Sequence, residues 1–228
     1  MTDPLAPNMP TPDLLQQMQQ ERGYLLSYHA IYGQHEPAFL AKYAELYRYA
    51  NLSPRFLSER QRELCWVALL GAQHEPIGLL HIERGERAGL SADELTAAVA
   101  LGAIADAWPT LAFAFRQWQA ALQHTPEAVY QQIVAAASGP LSALEADLVL
   151  LVVQGVRRRE EPFIYHLRRL LEAGLSEAQV AEAISYLQLQ AGNNTLLWAG
   201  NVWLAALRDG RLPPSPSLGR GEVPTRFG

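Results

Sequence analysis

The chain repeats itself. Residues 57–122 and 141–207 run in parallel at an offset of 84, which becomes 85 after one inserted residue. Leu57-Ser58 returns as Leu141-Ser142, and Glu63-Leu64 as Asp147-Leu148. Ala88-Gly89-Leu90-Ser91 returns unchanged as Ala173-Gly174-Leu175-Ser176. Glu75 and His81 return as Glu160 and His166, and Trp118 as Trp203. Self-similarity at one fixed period marks a duplicated structural unit, so the fold is expected to contain two similar halves. A polar residue kept in both halves is also harder to dismiss as incidental.

Helix signals dominate both halves. Ser58 with Gln61 and Ser142 with Glu145 have the spacing of reciprocal caps, and so do Ser91 with Glu94 and Ser176 with Gln179. Thr125-Pro126 gives a further start, and Gly89 and Gly174 fall where a helix would end in a left-handed residue. Apolar residues step by three or four through Leu141, Leu144, Leu148 and Leu151, while Leu64 to Ala72 is apolar on nearly every side. The expected fold is all-α: a lead-in over 1–56 with helices near 13–26 and 36–50, and a first repeat over 57–124. A linker helix over 125–140 and a second repeat over 141–209 follow. Residues 210–228, rich in Pro, Gly and Ser, read as a mobile tail. Tyr24, Tyr28 and Tyr32 form one helical stripe, expected to pack on the first repeat, and Trp118 and Trp203 read as core.

Bulk properties narrow the function. A net charge of −5 with no basic stripe argues against nucleic acid as a partner. Met1 to Pro12 lacks the pattern of a secretory signal, and a single cysteine, Cys65, fits a reducing cytoplasm. Leu95–Phe115 is long enough for a membrane span but carries Asp106 and Pro109 at its middle, so a broken pair of buried helices is expected instead.

Each half holds a carboxylate on its first long helix and a Glu-x5-His near the start of the next: Glu63, Glu75 and His81, then Asp147, Glu160 and His166. A histidine beside a carboxylate is suited to acid–base work, because its pKa lies near neutrality and the carboxylate orients the ring. On one helix His74 and His81, seven apart, would share a face, whereas Glu75 and His81 would not. The expected cluster is therefore His81 and Glu63 with His74 lining the pocket. No recognised ligand spacing calls for a metal.

The run Arg62-Glu63-Leu64, His74-Glu75, His81 and Ala88-Gly89-Leu90-Ser91 resembles the carboxymuconolactone decarboxylase/AhpD-like family, with a glycine eight residues after each histidine. The resemblance covers 57–122 and, less closely, 141–207. It implies a helical bundle and a homo-oligomer, here a dimer or trimer, without cofactor. In the family's thiol branch two cysteines do the redox work, and their positions fall on His74, Ile77, Arg159 and Pro162 here. Peroxide reduction thus lacks its nucleophile. The decarboxylase branch implies a lyase or isomerase acting on a small carboxylate or lactone, with His81 as acid/base and Glu63 orienting it. Glu75, Ile77, Asp147, Glu160 and His166 are the further candidate pocket residues, and Arg62, Arg84 and Arg159 could hold a substrate carboxylate. A binding or scaffold protein that kept the fold without the chemistry is the alternative.

Overall fold

Serine caps and glycine stops set the helix boundaries in the computed structural model, which describes residues 11–223. Among the described residues the α-helices are α1 (Thr11–Arg22), α2 (Ser27–His35), α3 (Pro37–Tyr47), α4 (Glu59–Ala72), α5 (Gly78–Arg87) and α6 (Ala92–Ile104). They continue with α7 (Ala107–Trp118), α8 (Pro126–Ala137), α9 (Ala143–Val156), α10 (Glu160–Glu172), α11 (Glu177–Ala191) and α12 (Asn193–Arg208). The fold is all-α, as expected. Residues 1–10, most of the segment that lacks a signal pattern, and 224–228, the end of the expected tail, lie outside the described residues.

All four serine boxes close. Ser58, Ser91, Ser142 and Ser176 each accept the amide of the third helical residue, whose side chain reaches back to the serine. Arg60 then ties two of these caps together, donating from Nε to Glu145 at 2.7 Å and from Nη2 to Glu94 at 2.5 Å. That guanidinium is the first reason the Glu94 carboxyl sits down at about 2.

The chain divides after Ser53 into two compact units. In the first, Leu14 and Met18 of α1 pack with Leu40 and Ala44 of α3, and Tyr28 lies against them. Tyr28 meets Tyr43 edge-on and Tyr32 lies 4.9 Å from Phe39, so this stripe finds partners within its own unit. The helix α2 was not legible in the sequence because no Ser, Thr or Asp caps it. The buried ring of His29 does so instead, accepting the Leu26 amide at 2.9 Å.

In the second unit α4 and α9, each 14 residues long, are central. Every residue from Arg62 to Leu70 and from Ala146 to Gly155 is buried, as helices apolar all round require. α4 packs against α5, α6 and α9, and α9 against α4, α10 and α11. The approach of α6 to α4 is close: a Cβ on Gly102 would lie 3.1 Å from the Ala68 carbonyl oxygen. α4 and α9 both end on a non-glycine residue of positive φ, His74 (61°) and Arg158 (51°). In each case the residue's amide and the next close back onto the last turn.

Several expectations need correction. α5 begins at Gly78, so His74 and Glu75, expected on the same helix as His81, lie in a turn over 73–77. Trp203 is buried, but Trp118 is 57% exposed, because α7 packs on α8 while α12 packs on α9, α10 and α11. Residues 210–223 fold back: Leu212 enters the core, and Ser215 and Gly219 exchange backbone hydrogen bonds of 2.7 and 2.9 Å. One buried leucine thus holds a stretch whose composition reads as mobile. Among the described residues no single helix is long and apolar enough to cross a membrane; α6 and α7 reach that length and composition only as a pair bent by 41°.

Candidate functional site

Two carboxylate–imidazole pairs form, one on each pair of helices. In the first, Glu63 of α4 meets His81 of α5, with Oε2 and Nδ1 2.7 Å apart. A carboxylate only accepts, so His81 Nδ1–H donates. Arg62 Nε–H donates to the other Glu63 oxygen at 3.0 Å, and the Trp66 ring stacks on His81 at 4.9 Å. Glu63 is fully buried and His81 nearly so. Burial pushes the His81 pKa down, and the Arg84 and Arg62 charges assist, against the opposing pull of Glu63.

In the second pair Asp147 of α9 accepts from His166 Nδ1–H of α10 at 2.8 Å. Arg169, one turn further along α10, donates Nε–H to both Asp147 oxygens at 2.9 Å. His166 Nε2 then accepts the Tyr130 hydroxyl of α8 at 3.2 Å, and Gln154 Nε2–H donates to that same hydroxyl oxygen at 3.3 Å. Burial holds the His166 pKa below its usual value despite Asp147. Burial alone would raise Asp147, but hydrogen bonds from His166 and Arg169, and their charges, bring it below the ordinary carboxylate range. The result is a neutral imidazole beside a fixed carboxylate.

The pairs differ in access. Asp147, His166, Arg169 and Tyr165 line a cavity of about 490 Å³ walled by α8, α9 and α10. His81 and Glu63 line neither it nor the cavities of about 710, 460 and 510 Å³. His74 and Glu75 are exposed in the α4–α5 turn, and Ile77 is half-buried just before α5, so none of them shares a helical face with His81. Glu160 opens α10, pairs with Arg211 at 2.7 Å, and lines the 510 Å³ cavity instead. Arg159 pairs with Asp106 at 2.5 Å. Sequence reasoning missed Arg169, Tyr130 and Gln154. Arg169 was findable: it stands three residues after His166, as Arg84 does after His81. Tyr130 lies outside both repeats, and nothing in its local sequence marks it.

Cys65 is fully buried, and burial, then the Glu182 and Glu63 charges, push its thiol well above the usual range. It is not a nucleophile in this setting. Among the described residues no group of three or more His, Cys, Asp or Glu is placed to hold a metal ion.

No curated protein and no solved structure matches the chain. Residues 37–120, from α3 through α7, match the model of the Carboxymuconolactone decarboxylase family. That segment, which carries the Glu63–His81 pair, is similar to the carboxymuconolactone decarboxylase family.

Proposed function

We propose that the protein is a cofactor-free acid/base enzyme, a lyase or isomerase acting on a small carboxylate or lactone, with its centre at His166, Asp147 and Arg169. One observation carries the reading: Asp147 is held between an imidazole and a guanidinium at the wall of an open cavity. Arg169 engages Asp147 through Nε, which leaves its terminal nitrogens for a substrate carboxylate. His166, kept neutral by burial, takes a proton from the carbon next to the substrate carbonyl. Asp147 stabilises the resulting imidazolium. The Tyr130 hydroxyl occupies Nε2 until substrate displaces it. On this reading Glu63 and His81, closed in beneath Trp66, serve the fold.

The test is a panel of small lactone acids and keto acids, followed for decarboxylation or double-bond migration by ultraviolet absorbance. His166→Gln is expected to lose at least about a hundredfold in turnover, while His81→Gln retains it. Undiminished turnover in His166→Gln sinks the reading.

A second reading, a non-catalytic binding protein, draws support from the saturation of both His166 ring nitrogens. It expects no turnover of any panel member, and a lowered melting temperature as the sole effect of His166→Gln. We further infer that the α4–α6 and α9–α11 segments arose by duplication. Matched caps at Ser58/Ser142 and Ser91/Ser176 and matched positive φ at His74/Arg158 and Gly89/Gly174 support this. An experimental structure in which the segments fail to superimpose would remove it. The proposal includes assembly into a dimer or trimer, which the exposed Phe113 and Trp118 rings support and sedimentation equilibrium measures.

A further inference from the structure

A cavity of about 710 Å³ lies outside the proposed centre, and its lining has a consistent chemistry. Its apolar side is aromatic-rich: Trp108 and Phe115 from α7, Ile164 and Tyr165 from α10, with Ala112 between them. The Trp108 and Tyr165 rings are 5.6 Å apart. A volume of this size with an aromatic wall suits a planar organic ligand.

The polar side is short of acceptors. Two carboxylates line the cavity, Glu127 and Glu161, and both are already answered. Each sits in the first turn of its helix, where the dipole favours negative charge, and Glu161 also accepts the Trp108 indole N–H at 3.2 Å. The cations are less well served. Arg116 makes no ion pair among the described residues. Arg168 uses Nε on a neutral carbonyl, that of Arg211, at 3.0 Å. Arg211 pairs through its terminal nitrogens with Glu160 and Asp209, yet its Nε–H is buried without an acceptor. A buried donor of this kind is rare and destabilising, and it asks for an acceptor from outside the chain.

We infer that this cavity is a binding site for an aryl carboxylate, its ring on Trp108, Phe115 and Tyr165 and its carboxylate facing Arg116, Arg168 and Arg211. The site is separate from the His166 cavity and does not rest on the catalytic reading. Only Tyr165 lines both.

The probe is 2-naphthoate titrated into the full chain by calorimetry, with neutral 2-naphthamide as control. Saturable one-to-one binding is expected, weakened about tenfold or more for the amide and for the Arg116→Gln/Arg168→Gln double variant. Ala112→Trp, which fills the cavity without removing a charge, is expected to abolish binding, and circular dichroism checks that each variant folds. Arg169→Gln is expected to bind naphthoate as the parent does. Equal affinity for acid and amide overturns the inference, as does parental affinity in the double variant. Loss of binding in Arg169→Gln alone would put the ligand in the smaller cavity and overturn it equally.

Discussion

Two imidazoles, His81 and His166, are buried beside carboxylates, and burial wins over the partner in both. Their pKa values are lowered from 6.5, so the unfolded chain takes up protons first as pH falls below that value. Stability from these rings is therefore complete above about 6.5 and is lost as pH falls through the lowered pKa values, at most about 1.4 kcal/mol per pH unit for each ring. The expected outcome is a melting temperature that drops as pH falls below about 6.5, with a shallower slope in His166→Gln. A parental slope in that variant would mean the ring is already charged in the folded state. Asp147, lowered from 3.8, adds its own loss only at lower pH, so the two effects separate. At this scale the sequence was a partial guide. It marked Glu63, His81, Asp147 and His166 as pairs, because the separations along the chain set helix against helix. It did not tell which pair meets a cavity, since that depends on Trp66 stacking over His81 and on α8 standing beside His166.

Among the elements, the close crossing of α6 over α4 is the most sensitive contact. Alanine normally favours a helix interior over glycine by about 0.5–1 kcal/mol. At Gly102 the new Cβ would press on the Ala68 carbonyl oxygen, backbone that cannot swing aside, so Gly102→Ala is expected to destabilise by about 1 kcal/mol or more. Gly200 in α12 is exposed, and a Cβ there would meet nothing within 4 Å. Gly200→Ala is therefore expected to stabilise by about 0.5–1 kcal/mol, and opposite shifts in the denaturant midpoints check the pair. Helix boundaries were largely legible, because serine boxes, Thr125-Pro126 and the two glycine stops are local devices whose hydrogen bonds close within one turn. The failures have equally local reasons. α2 is capped by a histidine ring rather than by a small polar residue, and the turn before α5 holds His74 in a left-handed conformation that a pattern reading does not anticipate.

Across residues 54–223, the segments α4–α6 and α9–α11 share one core. Leu64, Leu69 and Leu101 belong to the same buried cluster as Leu148, Leu150 and Leu187, and α4 and α9 pack directly on one another. Glu182 of α11 extends the link by accepting the Phe56 and Leu57 amides at 2.6 and 2.8 Å. A fragment of residues 54–124 would expose the whole α9-facing side of α4 and is expected to show no cooperative melt by circular dichroism. Residues 54–228 are expected to melt in one transition reported alike by circular dichroism and tryptophan fluorescence. Two separate transitions would mean that each of these segments is a domain of its own.

The order and ends of most helices, the enclosed character of α4 and α9, and the two carboxylate–imidazole pairs were determined by the amino-acid sequence alone. Those features rest on interactions within a helix or between neighbours along the chain. Tertiary structure decided that Trp118 faces outward while Trp203 is buried, and that Leu212 draws the Pro-rich end into the core. It also decided that Arg169 and Tyr130 complete the His166 pair beside a cavity. Similar segments gain different surroundings once packed, because burial and access depend on what lies across a helix interface, and no local pattern encodes that neighbour.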